Sequence, residues 1–255
     1  MPKVHTHTPW LRRFHDSAPA VPRLICFPHA GGSASSYFEF SRLAGAAVDV
    51  VAVQYPGRQD RHHEPPLTSI DGLADAVVSA VGPLLDRPVA LFGHSMGATV
   101  AFEVARRLEA TGRRPSVLFV SGRRAASLQR QSALHLESDE RLVAEVASLD
   151  GTHADVLRDP SLMRYVLPSL RADYRAIEQY HYVPTVPLRC DVVALTGDAD
   201  PHVDIDEARK WRRHTVGRFD LVVHPGGHFY LQARAQAVVS DVFARIRPGA
   251  SVTTP

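Results

Sequence analysis

The sequence predicts an α/β fold, a mostly parallel, doubly wound sheet interrupted by a helical insertion. Three observations predict it. Six short runs rich in Val, Leu, Ile and Phe recur along the chain, each stopping at Gly, Pro or a polar cluster. They are continuous rather than alternating, as strands buried on both faces require. Amphipathic helical segments lie between them, and one long stretch carries helical patterns without any strand.

In order, the strand runs are "RLICFPHA" (23–30), "VDVVAVQYP" (48–56), "PVALFG" (88–93), "SVLFVSG" (116–122), "CDVVALTG" (190–197) and "FDLVVHPGG" (219–227). Helices are predicted over 69–86, 95–110, 204–214 and 230–246. In 95–110, Ala98, Ala101, Val104, Ala105 and Leu108 share one face, Glu103, Arg106, Arg107 and Glu109 fill the other, and Gly112 follows near the stop. Over about 123–186 only helical segments occur, such as "DERLVAEVASL" and "SLMRYVLPSLRADYRAIEQY". This insert leaves after "FVSG" and returns before "VVALTG", which would set it over the carboxyl edge of the sheet, where ligands bind in such folds. The expectation is one domain over 1–255, with a core at about 20–122 and 187–248 and a helical lid at about 123–186. The N-terminal "MPKVHTHTPWLRRFHDSAPA" reads as a polar arm lacking the apolar centre of a signal peptide. The tail "RPGASVTTP" reads as loose.

Composition narrows the function classes. The 255 residues are 45% hydrophobic and 22% charged, the balance of a globular domain large enough for its own core. Lys and Arg total 29 against 27 Asp and Glu, a net charge of +2 that argues against nucleic acid as a partner. No apolar stretch is long enough to span a membrane. Cys26 and Cys190 sit in apolar runs and read as small core residues, so a reducing, cytoplasmic location is expected. The basic pairs Arg123-Arg124 and Arg212-Arg213 read as solvated faces, and so does His62-His63. The 14 histidines show no metal-ligand spacing, and neither metal nor cofactor is expected.

The chemistry is carried by Gly93-His94-Ser95-Met96-Gly97. G-x-S-x-G makes a nucleophile elbow where it joins a strand to a helix, and here "PVALF" precedes it and an amphipathic helix follows. Ser95 is the candidate nucleophile. The amide of Met96, opening that helix, is a candidate oxyanion donor. A serine hydroxyl needs a base, and the α/β-hydrolase order is Ser, acid, His. His228 in "HPGGHFYL" lies just past the last strand run, with Gly226-Gly227 to let its loop approach. His224, its rival, lies within the strand run and reads as packing or capping. The preceding strand ends in "TGDADPHV", offering Asp198 and Asp200. Asp200 is preferred, while Asp198 suits a backbone hydrogen bond in the turn. "FVSGRR" has no carboxylate for the other common acid position. The second oxyanion donor is expected from "FPHAGGSASSYF", through the amide of Ala30, with His29 shaping the loop. A serine at position 95 excludes hydrolases of this fold that attack with aspartate.

Six segments now carry a resemblance: "FPHAGGSASSYF", "VQYPGRQDRHHEP", "LFGHSMGATVAFEVARRL", "LPSLRADYRAIEQY", "TGDADPHV" and "FDLVVHPGGHFYL". From about Leu24 to Ala244, in this order, the chain resembles the type II thioesterases of polyketide and nonribosomal peptide assembly lines. The resemblance implies an α/β-hydrolase fold with a mobile lid over an acyl chamber. It implies hydrolysis of acyl thioesters from the phosphopantetheine arms of carrier proteins, clearing stalled or aberrant units. It also implies Ser95, Asp200 and His228 as triad, Ala30 and Met96 as oxyanion amides, acyl or peptidyl carrier proteins as partners, and a free-standing enzyme, and a monomer is expected. A small-molecule carboxylesterase or an acyltransferase of the same fold is the alternative.

Overall fold

The computed structural model describes residues 8–149 and 160–246. The tail expected to be loose lies outside the described residues, as do the start of the arm and residues 150–159 of the insert.

Seven strands form one sheet: β1 (Leu11–Arg12), β2 (Arg23–Phe27), β3 (Asp49–Val53), β4 (Val89–His94), β5 (Val117–Ser121), β6 (Asp191–Gly197) and β7 (Phe219–His224). Their spatial order is β1-β3-β2-β4-β5-β6-β7. Every pairing is parallel except β1 on β3. All six predicted runs contain a strand, and β4 extends through Gly93 to His94, one residue beyond its run.

Side-chain alternation divides the core in two. Ile25, Phe27, Val51, Val53, Leu91, Leu118 and Val120 pack on one face with α2 (Ile70–Val81) and α3 (Met96–Ala110). Leu24, Cys26, Val50, Ala52, Phe92 and Phe119 pack on the other with α1 (Phe38–Ala44) and the C-terminal helix Ala235–Ile246. Burial on both faces explains why the runs read as unbroken apolar stretches. Both cysteines are buried and free. At the N-terminus of α2, Ser69 Oγ accepts from the Gly72 amide at 3.2 Å, a side-chain cap.

Among the described residues of the insert, the long elements are helices joined by irregular chain. The insert contains α4 (Asp139–Ala147) and the long α5 (Pro160–Glu178), and its described residues include no strand. No helix among the described residues is long and apolar enough to cross a membrane.

The structure departs from the sequence reading at the N-terminus. Leu11 and Arg12 pair with Val53 and Ala52 as an antiparallel edge strand. Leu11 is fully buried, and the Arg12 guanidinium bonds the Asp60 carboxylate. Two residues are too few to show a period, so the arm read as polar. Helix α1 was also not foreseen, because its seven residues make only about two helical turns, too short for a periodic pattern.

Candidate active site

Ser95 stands between β4 and α3 with φ 54° and ψ −120°, a left-handed region that a side chain enters only under constraint. The constraint is local crowding. A Cβ on Gly93 would meet the Gly97 carbonyl oxygen at 2.1 Å, and a Cβ on Gly97 would meet that of Phe27 at 2.1 Å. The Ser95 amide donates to Ser121 O at 2.8 Å, tying the turn to β5. Ser95 is therefore held at the carboxyl edge of the sheet with its side chain partly exposed.

Two loops from other strands converge on it. After β6, Asp200 Oδ2 lies 2.9 Å from His228 Nδ1, with both side chains buried. Asp200 Oδ1 accepts from the His202 amide at 2.8 Å, so both carboxylate oxygens are engaged. The rival acid, Asp198, is exposed and accepts from the Gly226 amide at 2.9 Å, tethering the loop that bears His228. The rival base, His224, is buried in β7, stacked on Tyr230 with ring centroids 5.3 Å apart. Ser95 and His228 line one cavity of about 920 Å³, together with Ala30, Met96 and Thr99. They share no hydrogen bond in this structure, and such contacts commonly tighten only around substrate.

The loop after β2 supplies backbone amides. Gly31 N donates to Asp173 Oδ2 at 2.8 Å and Gly32 N to His29 O at 2.9 Å. Both of those amides are engaged, whereas the Ala30 amide has no acceptor among the described residues. Met96 opens α3, so its amide has no acceptor within the helix. Ala30 also lines a second cavity of about 570 Å³, walled by Gly31, Tyr165, Leu170 and Phe229.

Three features escaped the sequence. The first is a buried ion pair. Arg58 Nη1 and Nη2 donate to Asp173 Oδ2 and Oδ1 at 2.7 and 2.9 Å, and Nη1 also donates to Gly32 O at 2.9 Å. It fastens α5 to the Ala30 loop from 115 residues away in sequence. Both residues lie in quoted segments, "VQYPGRQDRHHEP" and "LPSLRADYRAIEQY", but nothing in either segment names its partner. The second is a buried row behind His228. His94 Nδ1 lies 2.9 Å from Ser121 Oγ, which lies 2.6 Å from Tyr230 OH. The His94 and His228 ring centroids are 5.0 Å apart. Burial, then the neighbouring His228 and His29, hold His94 well below the ordinary imidazole value, so it is neutral. The third corrects the reading of Arg123-Arg124 as a solvated face: both line the cavity that holds Ser95 and are only partly exposed. Arg212, Arg213, His62 and His63 are exposed as expected.

Comparison with known proteins places the chain. The family model described as "Thioesterase domain" matches residues 22–246. The chain belongs to this thioesterase family. It is an α/β-hydrolase acting on thioesters. Thioesterase PikA5 of Streptomyces venezuelae is 47% identical over 253 residues, covering 96% of this chain and 90% of that protein. A protein named probable cadicidin biosynthesis thioesterase, from Streptomyces griseus, is 46% identical over 239 residues; the match spans 94% of this chain but 66% of that relative's length. The solved structure of the type II thioesterase BorB, from the borrelidin biosynthetic cluster, superposes with a TM-score of 0.90 at 49% identity. It covers 95% of this chain and 100% of that one.

Proposed function

We propose that this thioesterase removes acyl groups from the phosphopantetheine arms of carrier proteins in a polyketide or nonribosomal peptide assembly line. One observation carries the catalytic part. The buried Asp200–His228 contact of 2.9 Å faces the cavity of a serine held in a left-handed turn. The relatives support the substrate class, since one is named a cadicidin biosynthesis thioesterase and another the type II thioesterase of the borrelidin biosynthetic cluster.

In this reading Ser95 Oγ attacks the thioester carbonyl as His228 takes its proton. Asp200 holds the imidazole in the productive tautomer and stabilises its cation. The Ala30 and Met96 amides donate to the oxyanion, and the pantetheine thiol departs. His228 then activates water against the acyl-enzyme and the acid leaves. A thiolate is a good leaving group, so protonation by His228 matters less than in amide cleavage. The chemistry is complete with these side chains and amides, without metal or cofactor. Helices α4 and α5 act as a lid over the cavity, and the acyl-loaded carrier protein is the partner that delivers the arm.

The test is deacylation of acetyl- and propionyl-phosphopantetheinyl carrier protein, read by intact-protein mass spectrometry, with Ser95→Ala as control. Release by the parent and none by the variant is the expected result. Cleavage of a nitrophenyl ester without any carrier deacylation would remove the carrier from the reading and leave an esterase.

A further inference from the structure

Strands β4 and β5 are paired with His94 opposite Ser121, so the chain leaving β5 emerges beside Ser95. Gly122 turns it in a left-handed conformation, φ 56°, and a Cβ there would meet the His94 ring at 2.5 Å. Arg123 and Arg124 follow, anchored by the Trp211 Nε1–Arg123 O bond of 2.8 Å. Both residues then line the cavity of Ser95 and His228.

Their chemistry is unfinished. The other enclosed arginines Arg12, Arg23, Arg58, Arg61 and Arg107 each grip a carboxylate. Among the described residues, neither Arg123 nor Arg124 has a side-chain hydrogen bond or ion pair, and Arg124 Nε is buried without a partner. The nearby acids are committed elsewhere. Glu207 pairs with Arg130 at 2.7 Å and caps a helix. Glu178 binds the Leu134 and His135 amides and the His135 ring. Glu145 lies 3.5 Å from His202. Burial, and then the charge of Arg124, pull Arg123 down to about 9, which still leaves it cationic at neutral pH. Glu207 acts on both arginines only from a distance, and two enclosed, neighbouring cations without a hydrogen-bonded carboxylate are costly, a cost that an anionic group on the bound molecule relieves.

We propose that Arg123 and Arg124 form a carboxylate-binding subsite in the acyl cavity, so that the enzyme acts on acyl thioesters bearing a carboxylate on the acyl chain. This rests on Ser95 being the acyl-accepting residue. Adjacent strands lie about 4.8 Å apart, so the segment that carries the two arginines starts beside Ser95, and both residues line the same cavity. The phosphate of the arm lies at the arm's far end. A planar guanidinium fork also matches a carboxylate in a bidentate manner.

Pentanoyl-pantetheine and glutaryl-pantetheine test it, since they match in carbon number, differ by the carboxylate and lack both phosphate and carrier. The measured quantity is the kcat/KM ratio of glutaryl over pentanoyl. In Arg123→Gln and Arg124→Gln that ratio is expected to fall about 10- to 100-fold, the scale of a charge-assisted hydrogen bond. Arg124→Lys, which keeps the charge, should recover part of it, and thermal melts report whether each variant folds. An unchanged ratio, or no turnover of the glutaryl substrate by the parent, overturns the proposal. So does an effect confined to phosphorylated or carrier-borne substrates, which would assign the pair to the arm or the carrier surface. A parent inactive on pentanoyl-pantetheine and on carrier-borne acyl groups alike would instead defeat the functional reading beneath it.

Discussion

Individual residues divide between those the motif exposes and those only their neighbours define. The predicted Ser95→Ala effect is a loss of about 10³- to 10⁶-fold in kcat for carrier deacylation, because no other hydroxyl occupies the elbow. Asp200→Asn should cost up to about 10⁴-fold, the effect of a mis-set imidazole tautomer, and less than Ser95→Ala. Asp198→Asn is the matched control. Its side chain holds the Gly226 amide rather than the imidazole, so its kcat should stay within a few-fold of the parent. Equal losses for both aspartates in steady-state kinetics would reassign the acid. The motif order made Ser95, Asp200 and His228 legible. Turn chemistry favoured Asp200 over Asp198, and the coordinates add the partners: Asp198 accepts from the Gly226 amide and Asp200 contacts the His228 ring.

Among the elements, the connection between α5 and the Ala30 loop has the clearest consequence. Asp173 is fully buried and satisfies both Arg58 and the Gly31 amide. Asp173→Ala would strand a buried guanidinium, a loss of about 3–5 kcal/mol, measured as a lower urea midpoint. The same change frees the loop carrying the Ala30 amide, so kcat should fall in molecules that remain folded. Arg58→Met with Asp173→Leu, which removes both charges, should recover much of the stability but not the loop contact. Helix α5 was legible from its apolar spacing, although Pro168 sits inside it. Its partner was not, because ion pairs across 115 residues leave no local pattern.

At the scale of the whole molecule, pH acts through imidazoles that the fold wholly or partly encloses. Burial is the leading cause that lowers His94, His202, His214 and His224, and it takes His214 to about 4. An unfolded imidazole protonates near 6.5, whereas the fold holds these below that value. Between about 6.5 and 4 the unfolded chain therefore binds more protons, and stability must fall as the pH falls. Denaturant midpoints at pH 7.5 and pH 5 should differ in that direction. Replacing His214, enclosed by Phe102, Tyr182 and Trp211, with Phe should flatten the dependence. A midpoint that rises toward pH 5 would contradict the assignment.

By itself the sequence determined the α/β class, the six parallel strands and the positions where an elbow serine, an acid and a histidine leave them. Those features are local: apolar run length, turn residues and motif order are written in neighbouring positions. Tertiary structure alone decided the edge strand at Leu11–Arg12, the Arg58–Asp173 tie and the placement of Arg123-Arg124 inside the cavity. Each depends on what lies across a gap from a side chain. A basic pair after a strand looks the same in sequence whether water or an enclosed cavity faces it, and the desolvation that separates the two cases arises only when the chain closes around it.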